Sequence, residues 1–126
     1  MKPAVLIALL LVAPAAAFAD PTAPSRESFE AAIKARMAQL LRDPDTARFQ
    51  ATSDLKYYDV DFGYGDKRRG WGGCYTINAQ NGYGGYTGPE RYLFIVQDAN
   101  GSVTYMDKDS FGAAEAIFNR DCPASR

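Results

Sequence analysis

Histidine is absent from the 126 residues of this chain. The commonest general base and the commonest zinc ligand are therefore missing, and Ser-His-Asp and Cys-His catalysis are excluded. Cysteine is scarce: Cys74 and Cys122 are the only two. A dominant charge is missing as well, since fourteen Lys and Arg face fifteen Asp and Glu for a formal net charge of −1. That balance gives no general attraction to nucleic acid or to an anionic membrane surface. No Gly-Lys-Ser/Thr occurs, and in GYGDKRRGWGG the Gly63-x-Gly65 start is followed by Arg68 where a third glycine of a dinucleotide fingerprint belongs. No internal repeat or low-complexity segment is present.

What is present begins with the N-terminus. Met1-Lys2 gives a positive start, Ala4 to Phe18 is an uncharged apolar run, and Ala17-Phe18-Ala19 is a small-x-small exit. These are the parts of a secretory signal peptide, predicted as residues 1–19 with cleavage after Ala19. Pro14 and the shortness of the run weigh against a membrane anchor, which needs about 20 apolar residues. No cysteine ends the run to take a lipid. The mature chain, 20–126, is then expected to be one soluble domain, periplasmic or secreted, with no membrane span after cleavage. In an oxidising compartment Cys74 and Cys122 are expected to form one disulfide. Closing a loop of nearly fifty residues is worth roughly 3–4.5 kcal/mol by the loop-entropy model. That pairing leaves no thiolate nucleophile and no Cys/His zinc site.

After an exposed leader (DPTAPS), Ser25 to Asp43 reads as a helix. Ser25 is its N-cap, Glu27 and Glu30 lie in its first turns, Arg42 in its last, and Phe29, Ile33, Met37, Leu40 and Leu41 on one face. DPDTARF, with Asp43 as cap and Pro44 at a first helical position, reads as a turn or short helical piece leading into a sheet, anchored by Phe49. LKYYDVDFGYG predicts a half-buried strand with Asp59 and Asp61 on its wet face. GDKRRGWGG reads as a glycine-rich connection with a solvated basic tip, and CYTINA as a second strand. RYLFIVQD, apolar on both faces, predicts a central strand. Asn100-Gly101 marks a hairpin into SVTYMD, and Asp109 or Ser110 is expected to cap a short helix whose apolar face is Phe111, Ala114, Ile117 and Phe118. The fold class is α+β: an N-terminal amphipathic helix on a small antiparallel β-meander, a short C-terminal helix and one disulfide.

Asp59 and Asp61 share a strand face and allow a carboxylate-pair hydrolase, but alternation on a wet strand explains them better, and the chain is read as not an enzyme. Asp107, Asp109 and Gly112 match three positions of a calcium loop, while Phe111 and Phe118 stand where ligands belong. No metal and no cofactor are expected.

The stretch with most binding character is NAQNGYGGYTG, Asn78 to Gly88. Its glycines and asparagines tolerate left-handed backbone, and Tyr83 and Tyr86 can lie over them as lids, so a self-braced loop accounts for it. The same atoms suit a partner protein, peptide or glycan. The ligand-binding candidates are Asn78, Asn81, Tyr83 and Tyr86, with Arg68, Arg69 and Trp71 as a second grip on an anionic group. The expected role is an exported envelope protein that binds such a partner. The alternative is a structural or stress-related accessory factor of an envelope assembly.

Two segments together carry a resemblance. LRDPDTARF (41–49) and CYTINAQNGYGGYTG (74–88) resemble the L-x-D-P-D-S/T-A-x-F and C-G-x-V-N-x-x-N-x-[FY]-G-G-Y-x-G elements of a family of small exported bacterial proteins. Asp43, Pro44, Phe49, Cys74, Asn78, Asn81, Gly84, Gly85, Tyr86 and Gly88 match; Tyr75 and Pro89-Glu90 depart. The resemblance implies an exported protein with a shared loop and brings no activity with it.

Overall fold

The computed structural model describes residues 22–80, 83–86 and 88–124. The signal-peptide residues 1–19 and the candidate Asn81 lie outside them. Helix α1, Arg26–Met37, forms where Phe29, Ile33 and Met37 recur at four-residue steps, and all three are buried. The Ser25 hydroxyl accepts the Ser28 N–H at 3.1 Å, as an N-cap should. The helix ends a turn and a half before Asp43. The N–H groups of Leu40 and Leu41 both donate to the Met37 carbonyl, tightening the chain into a reversal that exposes Leu40 and returns Leu41 to the core. A short 3-10 helix follows, Pro44–Thr46. Its cap is the Asp43 carbonyl, which accepts both the N–H and the hydroxyl of Thr46; the Asp43 carboxylate makes no capping bond.

Five antiparallel strands build the sheet: β1 Arg48–Ala51, β2 Lys56–Asp61, β3 Lys67–Asn78, β4 Glu90–Gln97 and β5 Val103–Met106. The meander runs β2-β3-β4-β5, and β1 is a strand the residue pattern did not announce. It lies end to end with β2 along one edge of β3, β1 against 75–78 and β2 against 67–72. Between them the chain stays tied to β3, because Thr52 N–H donates to the Cys74 carbonyl and Cys74 N–H to the Ser53 hydroxyl.

The glycine-rich connection expected at 65–73 is instead the first half of β3. The turn is only Gly63-Tyr64-Gly65, all at positive φ. Gly70 and Gly72 are there for close approach. A Cβ on Gly70 would sit 1.9 Å from the Val96 carbonyl oxygen, and one on Gly72 2.5 Å from that of Phe94. Lys67, Arg68 and Arg69 are consequently strand residues and no hairpin tip.

The central strand β4 is buried on both faces, Leu93, Phe94 and Ile95 being fully covered. On one face α1 packs Phe29, Ile33 and Met37 on Tyr75, Ile77 and Phe94. On the other, helix α2, Ala113–Asp121, packs Phe118 with Tyr58, Val60, Leu93, Ile95 and Met106. This is an α+β architecture with one helix on each face of the sheet. A disulfide joins Cys74, in mid-β3, to Cys122 just past α2, with Cα atoms 5.7 Å apart. The start of α2 also differs from expectation. Its cap is Gly112 at φ 65°, while the Ser110 hydroxyl accepts the Asp107 N–H in the preceding turn. Phe111 therefore stays outside the helix and is 87% exposed. Among the described residues no helix is long and apolar enough to cross a membrane.

Candidate functional site

β1 pairs Arg48 with Asn78 and Phe49 with Ile77, so the segment before β1 and the loop after β3 emerge side by side. The loop closes on itself by a bridge between Gln80 and Tyr86. It then closes on its neighbour: the Gln80 N–H donates to the Thr46 hydroxyl and the Tyr86 hydroxyl to the Thr46 carbonyl, each at 3.4 Å. The Arg48 guanidinium lies over the Tyr86 ring, 4.3 Å from its centroid. Gly84 and Gly88 take the left-handed backbone that this path requires, at φ 80° and 95°. The two segments that carry the family resemblance thus form one surface.

The candidate residues play different parts on that surface. Tyr86 is a clamp, 38% exposed, and Tyr83 at the far side of the loop is 97% exposed. Asn78 is half-buried, and its Oδ1 has no hydrogen-bond partner among the described residues. Polar side-chain atoms, one exposed aromatic ring and a guanidinium held flat by stacking are groups that bind.

Arg68, Arg69 and Trp71 are not part of this surface. At strand spacing Trp71 stands about 23 Å from Asn78 along β3. Alternation also separates the two arginines. Arg68 faces α2, donates to the Thr104 hydroxyl at 2.7 Å, pairs with Asp66 and covers the Phe62 ring. Arg69 faces the opposite way and pairs with Asp59 at 3.1 Å. Trp71 meets the edge of the Tyr57 ring, and its Nε1 is buried with no partner among the described residues. Of the strand acids, Asp59 is thus ion-paired and Asp61 accepts the Gly63 N–H at 2.8 Å, holding the hairpin turn.

Displaced titrations cluster where the sheet meets its helices. Two parallel hydrogen bonds from Arg120 hold Asp121 down to about 2, against the opposing effect of its burial, with further help from the Tyr58 hydroxyl at 2.7 Å. Burial pushes the Tyr58 hydroxyl well up, and its bond to Asp121 adds to that. Tyr92 is pushed up to about 12, mainly by burial. The Tyr58–Asp121 bond ties β2 to α2, while the Tyr92 hydroxyl bonds Glu90 within β4.

Sequence reasoning missed Thr46 and Arg48 as the other half of the loop site, and Gln80 as the loop residue that meets Thr46. No local signal marks them, because the contact depends on the register of β1 against the end of β3. No protein-family model, curated protein or solved structure shows significant similarity to this chain.

Proposed function

We propose that this chain is an exported, non-enzymatic protein of the bacterial envelope, and that it holds a partner protein, peptide or glycan against the Asn78–Gly88 loop. The observation that carries this reading is the exposure of the Tyr83 ring, 97%, on a loop that Tyr86 braces against Thr46 and Arg48. A braced loop that presents an aromatic ring beside amide groups suits recognition of a partner. Export rests on the N-terminal pattern, the resemblance to small exported proteins, and the disulfide, which suits an oxidising compartment. The accessory-factor reading draws on Tyr86, whose engagement within its own chain is what a purely architectural loop also needs.

The test is capture from an envelope extract, and on glycan and peptide arrays, by the wild type and by Tyr83→Ala. Binding that is lost in the variant with melting unchanged supports the recognition role. Binding that survives Tyr83→Ala, or that neither format detects, removes the loop as a site.

A further inference from the structure

Arg26, Arg36, Arg68, Arg69, Arg91 and Arg120 all donate hydrogen bonds to oxygens of their own chain. Arg48 donates none among the described residues. It is exposed, and its one contact there is the Tyr86 ring, 4.3 Å away. No carboxylate among the described residues, Asp43, Asp45 and Glu90 included, forms an ion pair with it. A guanidinium laid on a ring keeps its edge of N–H donors open in a fixed plane, and that edge matches a carboxylate through two parallel bonds.

Strand pairing sets what stands beside it. Arg48 is directly opposite Asn78, so the two side chains share a face of the sheet, with Cβ atoms about 5 Å apart. The Asn78 Oδ1 is shielded from solvent, which leaves the amide NH2 as the end a ligand can meet. Both neighbours thus offer donors. The next positions on that face are Gln50, Thr76 and Arg91, none of them acidic. Asp45 lies toward α1, where it lines a groove with Lys34 and Phe49, and on that same side the Glu90 carboxylate accepts the Tyr92 hydroxyl. Tyr83 is three residues from Tyr86, so their Cα atoms are within about 11 Å. Its ring is almost wholly exposed. Such a ring is a platform and no pocket wall. It suits the flat C–H face of a sugar better than an apolar side chain, which needs a hollow.

We infer that the loop takes an acidic glycan, a sugar chain bearing uronic-acid carboxylates, and that Arg48 selects it. The Arg48 edge and the Asn78 NH2 hold the carboxylate, and the Tyr83 ring packs on a sugar face. This rests on the reading of the Asn78–Gly88 loop as a binding site and adds the charge its ligand carries.

Amide-detected NMR titrations of the purified exported protein test it with three probes: a tetragalacturonate, the same tetrasaccharide with its carboxyls reduced to alcohols, and a tetraglutamate peptide. Wild type should bind the acidic sugar at least about tenfold more tightly than the reduced one, with shifts at Arg48, Asn78 and Tyr83. Arg48→Gln should bind both sugars alike, at the strength wild type shows for the reduced one. Arg48→Lys, which keeps the charge without the planar fork, should recover part of the difference. Equal binding of the two sugars by wild type overturns the acidic ligand and leaves the loop reading standing. Tetraglutamate bound in preference to the sugar overturns the glycan. An Arg48→Gln variant that keeps the acid preference, or that loses both sugars, overturns the selecting role. Binding of none of the three overturns the inference, and the loop reading is then decided by capture with Tyr83→Ala.

Discussion

The centroid of the Tyr86 ring lies 4.3 Å from the guanidinium carbon of Arg48, and the Tyr86 hydroxyl reaches the carbonyl of Thr46, 40 residues earlier in the chain. This one side chain converts a glycine-rich excursion into a fixed feature of the sheet edge.

Removing it has a measurable cost. Tyr86→Ala loses a partly exposed cation–π contact and a long hydrogen bond, and is expected to lower stability by about 1 kcal/mol. Tyr83→Ala, at an exposed site, is expected to stay within about 0.5 kcal/mol of wild type. Urea unfolding gives both numbers, and exchange of the Gln80 amide should quicken only in Tyr86→Ala.

Acid should weaken the C-terminal end of α2 and its tie to Tyr58 on β2. Asp121 has a folded pKa of about 2 against an ordinary value of 3.8, chiefly through Arg120. A lowered value means stability that is fully present above pH 4 and is lost as pH falls toward 2. Arg120 and Lys56 are more than half exposed, so about 1–2 kcal/mol remains after solvent screening. Asp121→Asn should be less stable than wild type by that amount at pH 6, and the gap should close near pH 2 in urea titrations.

Reduction should have a larger effect. The Cys74–Cys122 bridge spans a sequence separation of 48, and the loop-entropy model assigns it about 4 kcal/mol. A Cys74→Ser/Cys122→Ser variant, or wild type in excess dithiothreitol, is expected to melt well below the oxidised protein. An unchanged melting temperature would show that the reduced chain holds α2 in place by packing alone.

The β3 glycines should tolerate nothing larger. Gly70→Ala places a methyl 1.9 Å from the Val96 carbonyl, so β3 and β4 must part. A loss of about 3 kcal/mol or more is expected, at the upper end of overpacking costs. Gly63→Ala, which has open space but φ +96°, should cost about 1–2 kcal/mol through backbone strain alone. Circular dichroism melts of the two variants separate crowding from strain.

The residues that announced their structure are those whose signal is local. Ser25 with the Phe29–Ile33–Met37 stripe marks a helix, Leu93 to Ile95 a buried strand, Asn100-Gly101 a turn, and two lone cysteines a bridge. Gly70 and Gly72 misled because glycine marks both a bend and a close approach, and only the neighbouring strand tells them apart. Phe111 misled because α2 starts where Gly112 turns left-handed, a fact of backbone that hydrophobic spacing does not carry. The loop itself stood out by composition. Its docking on Thr46 and Arg48 did not, because that contact depends on β1 aligning with the end of β3.

The bridge between Cys74 and Cys122 also divides the molecule mechanically. The second half of β3, the Asn78–Gly88 loop, β4, β5, Phe111 and α2 all lie inside a closed covalent ring. Tension applied along the chain passes from β3 to Cys122 through sulfur, so the backbone of that ring is not in its path. Drawing out β1 takes Thr46 and Arg48 away from Tyr86, so the loop would lose its brace while its own backbone stays closed.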